Sequence, residues 1–182
     1  MGRGMVRSVQ STEWKGTQDV DTTIAPAVAT PEDVARYFLG RAFEDGDLIT
    51  NLKMQKLVYL AYAWVLARTG GRLFAEPIEA RPNGPNVASL DDDLSRYGRG
   101  PIEEDFLGEG ATFAMLQNPF PRDVLHIIDG VYEAYIGESG LGLTLYMHGD
   151  LPWQNARQGL DDSERGNATI RDEDILVAYT SR

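Results

Sequence analysis

The stretch from Asn51 to about Thr69 constrains this chain more than any other part of it. Thr50 stands before it as an N-cap, and Gly70-Gly71 follows it as a stop. Between them Met54, Leu57, Val58, Ala61 and Val65 recur at three and four residues, which predicts a helix. Leu52, Leu60, Trp64 and Leu66 carry the apolar arc beyond a single face. A helix that is apolar around most of its circumference must be surrounded, so this one is expected at the centre of the fold.

The flanking sequence supplies further helices. Thr30-Pro31-Glu32-Asp33 combines an N-cap, a proline at the first helical position and acids that complement the helix dipole. A helix to about Phe43 follows, with Val34, Tyr37, Phe38 and Ala42 on its face. Ile78 to Arg81 reads as a short strand ahead of the tight-turn residues Pro82-Asn83-Gly84-Pro85. Val87 to Tyr97 is helical in spacing, and residues 98–120 form a long acidic connection with a brief helical turn at Glu103 to Leu107. Pro121 opens a helix through Val124, Ile127 or Ile128, Val131 and Tyr135, which Gly137 stops. Ser139 caps another, running to about His148 with Leu141, Leu145 and His148 on its face. Asp150-Leu151-Pro152-Trp153 reads as a cap, a proline start and a buried aromatic, and Ile170 to Tyr179 as a last amphipathic helix. The expected fold is mainly α: a single-domain, bundle-like arrangement over 31–182 with at most a small β element near residues 78–81. Residues 1–30 lack either periodicity and are expected to be a flexible extension, with Trp14 the one candidate for a docking arm.

Composition removes several classes of function. With no cysteine, disulfides, thiolate metal sites and cysteine nucleophiles are excluded. No run approaches the roughly 20 apolar residues of a membrane span, and no apolar h-region follows the early arginines, so a cytoplasmic protein is expected. The formal net charge is −11, and residues 1–30 are balanced, so the whole acidic excess belongs to the folded part. Such a field disfavours nucleic acid and favours a basic protein partner.

Catalytic signatures are sparse. The only histidines are His126, set among apolar residues as a core or boundary group, and His148. His148-Gly149-Asp150 lacks the spacing of a metal site, so neither metal nor cofactor is expected. Asp91-Asp92-Asp93 reads as a solvated first helical turn. A small hydrolase using His148, Asp150 and unidentified carboxylates is the alternative to a binding protein. On the central helix, Lys53, Gln55 and Lys56 interrupt the apolar run. They are either core-helix side chains reaching outward to nearby acids, or part of a partner-binding rim with Tyr59, Tyr62 and Trp64.

Three separated blocks carry a resemblance: ITNLKMQKLVYLAYAW at 49–64, GGRLFAEPIEARPNGPNV at 70–87, and LTLYMHGDLPWQNAR at 143–157, closed by IRDEDILVAYTSR. In order and spacing they resemble the Panacea domain, the antitoxin domain of SocA-like and phage-associated GepA-like proteins. The resemblance implies a helical domain that neutralises a cognate protein toxin encoded beside it, by direct contact. It also implies that different members pair with very different toxins, and that delivery of the toxin to a protease such as ClpXP occurs in the family. Gly84, Pro85, His148, Pro152 and Trp153 would be the structural residues of the motif. One departure stands out: the family commonly places an aromatic pair ahead of Gly-Pro, where this chain has Arg81-Pro82-Asn83.

Overall fold

The central helix is held on nearly every side. In this computed structural model, which describes residues 25–161, 163–166 and 168–182, α2 (Asn51–Thr69) packs against α1 (Pro31–Asp45), α5 (Arg122–Tyr135), α6 (Gly140–His148) and α8 (Asp172–Thr180). From Lys53 to Leu66 only Trp64 is less than fully buried. The fold is mainly α, with eight α-helices among the described residues. The remaining ones are α3 (Ala88–Leu94), α4 (Phe113–Leu116) and α7 (Leu151–Ala156). The one sheet among these residues is an antiparallel pair, β1 (Glu79–Arg81) with β2 (Gly84–Asn86). No helix among the described residues is long and apolar enough to cross a membrane.

The caps explain the boundaries. Thr30 and Asp33 form a reciprocal capping box at the start of α1, and Gly46 ends it in a left-handed conformation. Thr50 accepts from the backbone of Lys53, and Gly70 closes α2 in the same way as Gly46 closes α1. Of the two isoleucines available on α5, Ile128 is the one fully buried. Arg41 of α1 pairs with Asp129 and Glu133, latching α1 to α5. The acidic connection holds the short 3₁₀ turn Glu104–Leu107 and also α4, whose aromatic Phe113 stacks on Tyr37.

Four expectations need correction. The α6 face proposed from Leu141, Leu145 and His148 is the solvent face, and Leu143, Thr144 and Met147 are buried instead. The helix reads LGLTLYM through its middle, so apolar residues stand on both sides and periodicity cannot choose the face. His126 is exposed on α5 rather than a core or boundary group. Asp91 is not merely solvated: it accepts from Asn51 and pairs with Arg81. Finally, Ala25 bridges Gly71, and the Ala29 N–H donates to the Leu73 carbonyl at 2.9 Å. Backbone contacts therefore begin before Thr30, whereas Trp14 lies outside the described residues.

Candidate functional site

The β1–β2 hairpin is where the sequence blocks meet. Pro82 and Asn83 form its two-residue turn, and Gly84 follows with φ +97°. A Cβ at Gly84 would lie 3.0 Å from Lys56 Cε and 3.2 Å from Met147 Cβ. Glycine is thus required twice over, for its backbone angle and for the passage of the Lys56 side chain beneath it. The Lys56 ammonium donates to the Pro85 carbonyl at 2.9 Å. Gln55 accepts from the Val87 N–H at 2.8 Å and turns its amide nitrogen toward the Val87 carbonyl. From the other side, Trp153 Nε1 donates to Arg81 O, Arg157 to Ala80 O and His148 Nε2 to Pro82 O, each at 2.9 Å. His148 also stacks on Trp153, with ring centroids 4.8 Å apart. The hairpin is short for independent stability; the backbone of residues 168–170 pairs with its outer side, Ala80 N–H donating to Ala168 O and Ile170 N–H to Ile78 O at 2.8 Å each, and these side chains add to that support.

Of the two expectations for the polar residues of α2, the core placement holds but the outward reach of the lysines does not. Lys53, Gln55, Lys56, Tyr59 and Tyr62 are buried, so they form no exposed rim, and the lysines do not reach outward to acids. Both lysines end on backbone carbonyls, Lys53 on Ile136 and Lys56 on Pro85. Desolvation pulls the Lys56 ammonium down to about 7, with nearby Arg81 adding to the effect and Asp91 opposing it. Burial lowers Lys53 as well, against the nearby charges of Asp47 and Glu138. Tyr62 donates to Asp172 at 2.7 Å, which ties α2 to the start of α8.

Asp150 corrects another expectation. Its backbone precedes α7, yet its side chain makes no capping bond. The carboxylate is 1% exposed and accepts from Tyr59, from Tyr179 at 3.1 Å and from Arg182 at 3.2 Å. This polar knot joins α2, the α6–α7 corner and α8 inside the core. His148 faces the hairpin instead, so the two groups of the hydrolase alternative serve separate structural networks.

The only residue of the expected rim that reaches the surface is Trp64. It forms one wall of an apolar groove of about 460 Å³ between α2 and α5, lined by Arg68, Ile127, Gly130, Ala134 and Tyr135 among others. Gly130 and Ala134, one turn apart, leave the groove open: an added Cβ at Gly130 would meet nothing within 4 Å. Arg68 lies over the Trp64 ring at 5.0 Å, and Tyr135 contacts the exposed ring of Tyr146 at 5.8 Å between centroids. The groove thus opens onto a surface of Trp, Tyr and Arg.

Residues 54–154 match the family model described as antitoxin SocA-like, Panacea domain. The chain belongs to this family. A search of the curated proteins and of the solved structures finds no match to it.

The Panacea-domain match spans the hairpin and most of the side chains that grip it, from Lys56 to Trp153. Arg157 lies just beyond; it closes the third sequence block, where no role was assigned to it. It is buried, and besides Ala80 O it donates to the carbonyls of Asp161 and Glu164. Two other features did leave a trace. Tyr59 on an otherwise apolar helix had to find a buried acceptor, and the small residues Gly130 and Ala134 at helical spacing foreshadow the groove.

Proposed function

We propose that the chain is an antitoxin without catalytic chemistry of its own, and that it neutralises a cognate toxin by binding it across the α2–α5 groove and the adjoining aromatic surface. The observation that carries this reading is the groove itself, in a domain of an antitoxin family: Trp64, Tyr135 and Arg68, which line it, and Tyr146, which adjoins Tyr135, are the residue types that anchor protein interfaces. A stable complex would cover about 800 Å² on each partner, so the groove would be its centre and the surrounding polar surface its rim. The excess of acidic residues suits a toxin of net positive charge and would speed association more than it would slow release.

Gly130→Leu tests this directly. The leucine would enter the groove from a position where its Cβ meets nothing within 4 Å, and removing a glycine from a helix interior favours the helix by about 0.8 kcal/mol. Melting temperature should therefore hold or rise while binding falls. In co-expression with the product of the neighbouring gene, the unaltered chain should restore growth and co-purify with the toxin. Gly130→Leu should do neither. Rescue that survives the substitution would place the contact on another face, and a neighbour that is harmless, or toxic yet never bound, would defeat the antitoxin reading itself. Toxin that persists at full abundance in rescued cells would mark blockade by contact rather than delivery to a protease.

A further inference from the structure

A second cleft lies on the opposite side of the hairpin from Trp153. It holds about 440 Å³ between the first turns of α2, the hairpin and α3, and its lining includes Asn51, Lys56, Arg81, Asn86, Asp91 and Arg165. That volume lies within the usual range for small-molecule sites. The lining carries three basic side chains against one carboxylate, in a protein whose net charge is −11.

The polar groups in this cleft are incompletely used. Lys56 is 1% exposed and spends one hydrogen bond, on Pro85 O, although an ammonium has three to give. Asn86 is 8% exposed, and its side-chain oxygen has no partner. The side-chain oxygen of Asn51 is likewise buried and unpartnered, while its amide nitrogen is held by Asp91. Buried polar atoms are rarely left in this state. Arg165 stands exposed on the wall and makes no ion pair among the described residues.

We propose that this cleft binds a small molecule carrying a phosphate or carboxylate beside a hydrogen-bond donor. The anion sits against Arg165 and the end of the Lys56 side chain, and the donor meets Asn86 and Asn51 once their side-chain oxygens, which the fold leaves almost no accessible surface, turn toward the cleft. Arg81, already paired with Glu79 and Asp91, shapes the wall and supplies field rather than a free contact. An anion beside Lys56 favours its charged form and so raises its titration midpoint. The proposal does not depend on the toxin-binding surface, which lies on the α5 side of α2.

Lysine Cε resonances of the full chain provide the test, because the sequence has only Lys15, Lys53 and Lys56. The probes are inorganic phosphate, AMP and glutamate, each at about 10 mM, which detects millimolar binding. AMP or glutamate should move the Lys56 midpoint upward by about one pH unit, leaving Lys15 and Lys53 in place. The one that does so distinguishes a phosphoryl from a carboxylate ligand. Arg165→Glu, on an exposed side chain that the fold does not use, should weaken that binding about tenfold with melting unchanged. Inorganic phosphate binding as tightly as both organic probes would overturn the required donor. No movement of Lys56 with any probe, or equal movement in Arg165→Glu, would overturn the site.

Discussion

Burial of Lys56 makes the stability of this domain depend on pH in a direction that can be worked out beforehand. Its ammonium titrates near 7 in the fold and near 10.5 in an unfolded chain. Between those values the unfolded state binds more protons, so stability must rise with pH. One pH unit of displaced titration is worth about 1.4 kcal/mol. The buried amine therefore costs the fold about 4 kcal/mol at about pH 7 and about 2 kcal/mol at about pH 9. The unaltered domain should gain about 2 kcal/mol over that interval, or roughly 4–8 °C in melting temperature for a chain of this size. Above about pH 10 the sign reverses. Tyr37, Tyr59, Tyr62, Tyr132 and Tyr179 are all raised by burial, so the unfolded chain loses phenolic protons that the fold retains. Lys56→Met keeps much of the apolar stem and removes the proton. It loses the bond to Pro85 O, a cost of about 1 kcal/mol, yet should exceed the parent by about 3 kcal/mol at about pH 7, an advantage that shrinks to about 1 kcal/mol by about pH 9. Urea unfolding followed by circular dichroism at several pH values would decide it. Parent and variant curves that climb in parallel would refute the assignment of the slope to Lys56.

Other consequences can be measured on the same footing. Trp153→Ala removes a nearly buried ring and its bond to Arg81 O, and should lower stability by about 3–5 kcal/mol in denaturant titrations. Gly84→Ala places a Cβ against Lys56 Cε at a positive φ, so a loss of about 1–3 kcal/mol is expected, and the Lys56 resonances should shift with it. Removing residues 1–24 should leave the unfolding transition nearly unchanged, whereas removing 1–29 also deletes the Ala25 and Ala29 contacts with residues 71–73 and should lower stability by about 1 kcal/mol.

Much of the helical framework was legible because its signals are local. A threonine cap, a proline start or a glycine stop acts within one turn, and Thr30, Thr50, Ser139, Gly46 and Gly70 all act where their residue types predict. What could not be read depends on partners far along the chain. Asp150 looks like a cap because it precedes Leu-Pro, yet its oxygens serve Tyr59, some ninety residues earlier, and Tyr179. Lys56 looks like a surface residue because lysine is costly to bury. Its place inside follows from the hairpin carbonyl waiting above it, which no window around residue 56 contains. The site was legible in a limited sense: the motif residues were identified, but their direction was not.

That inward direction bears on where the proposed toxin contact can lie. Within the matched span, Lys56, Gly84, Pro85, Asp150 and Trp153 hold the hairpin and the core, and a partner on the surface would touch none of their buried groups. On the antitoxin reading proposed above, these residues form the scaffold, and partner choice would fall to exposed positions such as Arg68, His126, Gly130 and Tyr146. The departure at Arg81-Pro82-Asn83 fits this division. Where the resemblance implies aromatic packing, Arg81 is held by Glu79 and Asp91, and the Pro82 carbonyl by His148 stacked on Trp153. The turn is thus secured by polar contacts on the domain's own side, in place of the aromatic packing that the resemblance implies. On that reading, substitutions on the groove face should weaken toxin binding while leaving stability nearly unchanged, whereas substitutions among the hairpin-gripping residues should lower stability and binding together.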